Sequence, residues 1–136
     1  MNPVVHFEMS YEDKQRVADF YAQAFGWQSQ FLGEEMGNYV VMTTSETDPD
    51  TRMVKQPGTI NGGLYKRTRE ESKAPSVVIA VDDIRAAMKK VEASGGKIIG
   101  GKTPGEPDMI PGIGLYCSFY DTEGNRVSML QPNPMN

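Results

Sequence analysis

Residues 77–96 read VVIAVDDIRAAMKKVEASGG, and the order of residue types in this stretch sets the fold. Val77–Val81 is a short run of strand formers. Asp82 and Asp83 follow, where a carboxylate can accept from the orphan N–H groups of a helix start. Ile84, Ala87, Met88 and Val91 then repeat at i, i+3, i+4 and i+7, the spacing of one buried helix face, and Gly95-Gly96 ends the helix. Downstream, Lys97–Gly100, Gly114–Tyr120 and Asn125–Gln131 read as strands, the last two joined by the turn Asp121-Thr122-Glu123-Gly124. The first half repeats this pattern 70 residues earlier, with Asp13 in the place of Asp83 and Gly26 in that of Gly96. There Pro3–Met9 reads as a strand, and Asp13–Phe25 as a helix with Val17, Phe20, Tyr21, Ala24 and Phe25 on its apolar stripe. Trp27–Leu32, Gly37–Thr43 and Thr59–Lys66 read as three more strands. The expected fold is therefore α+β: two βαβββ modules, residues 1–67 and 75–131, within one domain spanning 1–136. The charged stretch Thr68–Pro75 is the expected linker, and proline-rich Lys102–Gly112 an expected loop that serves as a lid, a partner contact or satellite core.

Composition removes several classes of function. Lys and Arg number 14 against 18 Asp and Glu, a net charge of −4 without a basic face, which argues against nucleic acid as a partner. The one cysteine, Cys117, excludes an internal disulfide framework and fits a reducing compartment. The one histidine, His6, excludes a metal site built from several imidazoles of one chain. No apolar run is long enough to span a membrane, and MNPVVHFEMS lacks a charged-then-apolar leader pattern, so the expected location is the cytoplasm.

Five motifs in order carry a family resemblance: His6-Phe7-Glu8-Met9, Phe20-Tyr21-Ala22-Gln23-Ala24-Phe25-Gly26-Trp27, Asn61-Gly62-Gly63, Val81-Asp82-Asp83-Ile84 and Asp121-Thr122-Glu123-Gly124-Asn125. Together they resemble the vicinal oxygen chelate superfamily of glyoxalase I, bleomycin-resistance proteins and extradiol dioxygenases. The resemblance implies a cupped, glyoxalase-like mixed sheet, a homodimer and a small-molecule ligand. In catalytic members one divalent metal is held from the first and last strands of each module. Those places here are His6, Gly62 or Gly63, Ser76 and Ser128, where metal-binding relatives often show histidine at the Ser76 place and usually glutamate at that of Ser128. A divalent ion wants three or four imidazole, carboxylate or thiolate ligands, and a serine hydroxyl replaces none of them. No cofactor is expected on that ground, with a divalent metal as the competing possibility.

Strand alternation puts His6 and Glu8 on one face, roughly 6.6–6.8 Å apart along the chain, as an acid–base pair or as two metal ligands. The bland alternative makes them wall residues, His6 bonded to a neighbour and Glu8 paired with Arg126. Arg126 and Ser128 share a strand face, and with Met109 and Tyr116 they are the substrate-binding candidates. Tyr39, Tyr65 and Trp27 can stack on a flat ligand or pack in the sheet, Met9 and Met42 can line a cavity or fill core, and Gly62-Gly63 reads as a turn or bulge. Two functions of different class stay open. One is a small-molecule binder without the usual metal; the other is a metal-dependent lyase or dioxygenase using His6 and Glu8.

Overall fold

The computed structural model describes residues 1–68 and 73–134; part of the expected linker, residues 69–72, lies outside them. The chain divides into an N-terminal unit, His6–Pro75, and a C-terminal unit made of Met1–Val5 with Ser76–Asn136.

In the N-terminal unit the order is β1 (Val4–Tyr11, shared with the other unit at its first two residues), α1 (Lys14–Phe25), β2 (Gln28–Phe31), a 3-10 turn (Glu34–Met36), β3 (Val40–Thr43) and β4 (Asn61–Lys66). The sheet runs β2-β3-β4-β1, with β1 and β4 parallel and the other pairs antiparallel. Asp13 starts α1 as expected, its carboxylate accepting from the Arg16 N–H at 3.0 Å, and Gly26 ends it at φ 74, a left-handed conformation that costs glycine little. The helix covers one sheet face over Tyr11, Val40, Met42 and Leu64, against which Phe7, Met9, Val17, Tyr21 and Trp27 pack. Leu64 and Met42 are fully enclosed, and truncating a side chain so placed costs about 2–5 kcal/mol. The buried stripe of α1 is narrower than its sequence pattern: Val17, Ala18 and Tyr21 face inward, while Phe20 and Phe25 are 57% and 66% exposed.

The C-terminal unit repeats the plan. Its elements are β5 (Ser76–Ala80), α2 (Ile84–Ala93), β6 (Lys97–Gly100), β7 (Asp108–Ile110), β8 (Gly114–Tyr120) and β9 (Arg126–Pro132). Here β5 and β9 are parallel, β8 is antiparallel to both β9 and β6, and β7 adds a short antiparallel pairing on β8. Asp83 caps α2 through the Ala86 N–H at 3.1 Å, and the predicted stripe Ile84, Ala87, Met88 and Val91 packs on Val81, Cys117, Phe119 and Met129. The segment expected as a loop, Lys102–Gly112, thus contains a strand. Asp108 anchors its start by accepting from the Lys102 N–H at 2.9 Å. Three residues are too few to show a period, and Pro107 and Pro111 bracket them.

Candidate functional site

Alternation along β1 sends Phe7, Met9 and Tyr11 toward the helix-covered core and leaves His6, Glu8 and Ser10 on the opposite, helix-free face. Glu8 is 7% exposed and needs a partner there. Tyr39, just before β3, supplies it: its hydroxyl donates to Glu8 Oε2 at 3.0 Å and lies 3.1 Å from His6 Nε2. The register explains how a residue so distant in sequence arrives. Val41 pairs with Gly63, Gly63 with Glu8, and a Cβ on Gly63 would collide with the Tyr39 ring. The neighbouring Gly62 has the Phe7 ring against its other face. Gly62-Gly63 is therefore regular mid-strand, correcting the turn or bulge reading, and it gives each face room for an aromatic ring. Burial lowers the pKa of His6 below its ordinary 6.5, so the imidazole is neutral at pH 7.

In the C-terminal unit a second polar group lies on the helix-free face of β8 and β9. Ser118 pairs with Ser128, their hydroxyls 3.1 Å apart, and the Tyr116 hydroxyl lies 2.6 Å from Ser128 Oγ and 3.5 Å from Ser118 Oγ. The serines are 1% and 2% exposed. Arg126 opens β9 half-buried, and its carbonyl accepts from Ser76 Oγ at 3.0 Å. Met109 stands apart on β7, paired with Leu115 and 64% exposed. Met42 and Met9 belong to the core rather than to a cavity wall. Cys117 is fully buried beneath α2; burial raises its thiol pKa, the Gly100 N–H offsets this in part, and the Asp108 charge adds to it.

Sequence reasoning thus groups His6 with Glu8 and Tyr116 with Ser128, and it misses the third member of each group: it gives Tyr39 only as a stacking or packing ring and does not give Ser118 at all. Ser118 had a signal, because a β8–β9 hairpin closed at Asp121–Asn125 with Tyr120 opposite Arg126 places Ser118 opposite Ser128. Tyr39 had none beyond its residue type.

The donor set can be tested against a divalent ion. Tyr39 takes His6 Nε2 and Glu8 Oε2, Gly62 and Gly63 have no side-chain ligand, and Ser76 is committed to a backbone carbonyl. Asn61, which the register places beside His6, uses its carboxamide oxygen to accept from the Thr44 and Ser45 N–H groups. Among the described residues no three of His, Cys, Asp and Glu converge. The residues do not fit the ion.

Two βαβββ units, each with its first and last strands parallel and its helix on one face, define an α+β protein of paired modules. The sequence profile of the Glyoxalase/Bleomycin resistance protein/Dioxygenase superfamily matches residues 4–129, and the chain belongs to that superfamily. A glyoxylase-like domain-containing protein of Didymella fabae is 29% identical over 123 residues, 87% of this chain and 84% of that one. Methylmalonyl-CoA epimerase from Mycobacterium tuberculosis superposes with a TM-score of 0.62 at 13% identity, over 96% of this chain and 88% of that one. A Streptomyces coelicolor methylmalonyl-CoA epimerase variant in complex with 2-nitronate-propionyl-CoA gives 0.65 at 14% identity, over 96% and 97%. A hypothetical protein from Bacillus halodurans C-125 gives 0.65 at 13%, over 99% and 97%. These structures share the fold.

Proposed function

We propose that the chain binds a small organic molecule at the helix-free sheet face carrying His6, Glu8 and Tyr39, and that it does so without a tightly held divalent ion. The observation that carries this reading is the Tyr39 hydroxyl standing 3.1 Å from His6 Nε2 and 3.0 Å from Glu8 Oε2, with no third imidazole, carboxylate or thiolate of the described residues converging on the pair. On the C-terminal unit, the Tyr116 hydroxyl, backed by the buried Ser128, and the Arg126 cation are offered to a ligand of the same class. Met109 has an exposed, adaptable side chain for such a molecule. The working form is a homodimer, as the resemblance implies. The small acidic chain fits a cytoplasmic setting without nucleic acid, and no helix among the described residues is long and apolar enough to cross a membrane.

Elemental analysis of protein purified without chelator tests the metal half. Well under one Zn, Ni, Mn or Fe per chain is expected; one tightly held ion per chain overturns it and restores a metal-dependent lyase or dioxygenase. Calorimetric titration tests binding with a panel of small oxygenated organics that includes propionyl-CoA, of the acyl-CoA class held by the Streptomyces neighbour. Saturable binding that is lost in His6→Ala with the fold intact supports the reading. No binder across the panel, or binding indifferent to His6, overturns it. Light scattering should give twice the 15.0 kDa of one chain.

A further inference from the structure

The phenol of Tyr39 has one hydrogen, and that hydrogen count fixes the chemistry of His6. The hydrogen is directed to the Glu8 carboxylate at 3.0 Å. The contact of 3.1 Å between Tyr39 Oη and His6 Nε2 is then a hydrogen bond only if Nε2 donates. A neutral imidazole carries one ring hydrogen, so placing it on Nε2 leaves a lone pair on Nδ1. Among the described residues Nδ1 has no hydrogen-bond partner.

We propose that Tyr39 is a positioning residue: with Glu8 behind it, it locks His6 as the Nε2–H tautomer and presents Nδ1 as the acceptor for a ligand that offers a hydrogen, in the first instance a hydroxyl. The inference rests on the binding reading above and specifies the ligand class for that face. It also gives the site a route for a proton. When the ligand's hydrogen passes to Nδ1, its bonding pair stays on the ligand oxygen. The Nε2 hydrogen moves to Tyr39 Oη and the phenol hydrogen to Glu8 Oε2. Imidazole and phenol end neutral, and the negative charge has moved from Glu8 to the ligand. The order is that of a base oriented by a third group, with the phenol placed between base and carboxylate. Gly63 is the structural condition for it, since any side chain there would displace the Tyr39 ring.

His6 is the sole histidine, so every imidazole signal of the chain belongs to it. Long-range proton–nitrogen correlation on ligand-free, histidine-labelled protein at neutral pH reads the tautomer directly. The Nε2–H form is expected to be favoured by about tenfold or more, because the other tautomer either forfeits the charge-assisted bond from Tyr39 to Glu8 or leaves the Nε2 and Oη lone pairs facing each other. Tyr39→Phe, which keeps the ring, should erase that preference. Glu8→Leu, which frees the phenol hydrogen for Nε2, should move the ring hydrogen to Nδ1. A wild-type hydrogen on Nδ1, or folded variants with the wild-type tautomer, overturns the lock; if either variant fails to fold, the wild-type spectrum and the other variant still decide. Phenol as a minimal hydroxyl probe should shift the Nδ1 signal, whereas anisole, without the hydrogen, should not. Equal responses, or none, overturn the assignment of ligand class. The tautomer is read without ligand, so failure of the lock and failure of binding are separate results.

Discussion

At the scale of single residues, burial makes His6 a pH-dependent element of stability. Its folded-state pKa lies below the ordinary 6.5 because burial penalises the imidazolium. Below pH 6.5 the unfolded chain therefore binds a proton that the folded chain resists, and unfolding takes up protons. By linkage, stability rises with pH across the window that starts at the folded pKa and ends at 6.5, and it is lost as pH falls through that window. His6→Gln removes this dependence, so urea unfolding at pH 7 and pH 5.5 should show the wild type losing stability relative to the variant at the lower pH. A wild type that gains on acidification would mean that the folded state favours the charged ring. What was legible at this scale is the pairing of His6 with Glu8, because strand alternation is local. What was not legible is Tyr39, whose approach depends on the non-local register through Val41 and Gly63.

At the scale of elements, both helices begin on an aspartate whose carboxylate accepts an N–H three residues on. Each cap satisfies a donor that would otherwise be left to solvent. Asp13→Ala and Asp83→Ala should each cost about 0.5–2 kcal/mol by urea unfolding, and Asp13→Asn, which keeps the acceptor, a few tenths at most. The two caps share no partner, so their costs should add in the double variant. Equal losses in the Asn and Ala variants would show that charge rather than hydrogen bonding carries the effect. The same local rules explain which elements could be read in advance. Caps, the 3.6-residue stripe of α2 and the Asp121–Gly124 turn depend on near neighbours, and they were found. The α1 face was misread because Phe20 and Phe25 are apolar by type but exposed, while small Ala18 is the residue at 3% exposure. For β7, pairing on β8 supplies what its three residues could not.

At the scale of the whole molecule, the repeat was legible because both halves solve one packing problem: a sheet whose helix-covered face must be apolar and whose other face is free for polar chemistry. The division between units is not written in the same way, since β1 gives Val4 and Val5 to the C-terminal unit and His6–Tyr11 to the N-terminal unit. Pro3 accordingly accepts from the Ala80 N–H at 2.9 Å, while His6–Tyr11 run parallel to Asn61–Lys66. A strand divided in this way joins the two units through the Val5–His6 peptide bond, and melting either sheet removes the pairing that orders its part of the strand. The units should therefore unfold together. The chain carries one natural probe of each: Trp27, the sole tryptophan, packs against the N-terminal core, and Cys117, the sole cysteine, is fully buried in the C-terminal one. Tryptophan fluorescence and the accessibility of Cys117 to a thiol reagent, followed across the same urea series, should give coincident midpoints. Separate midpoints would mean that the segment Val4–Val5 detaches without melting the rest of β1, and that each βαβββ unit is stable by itself.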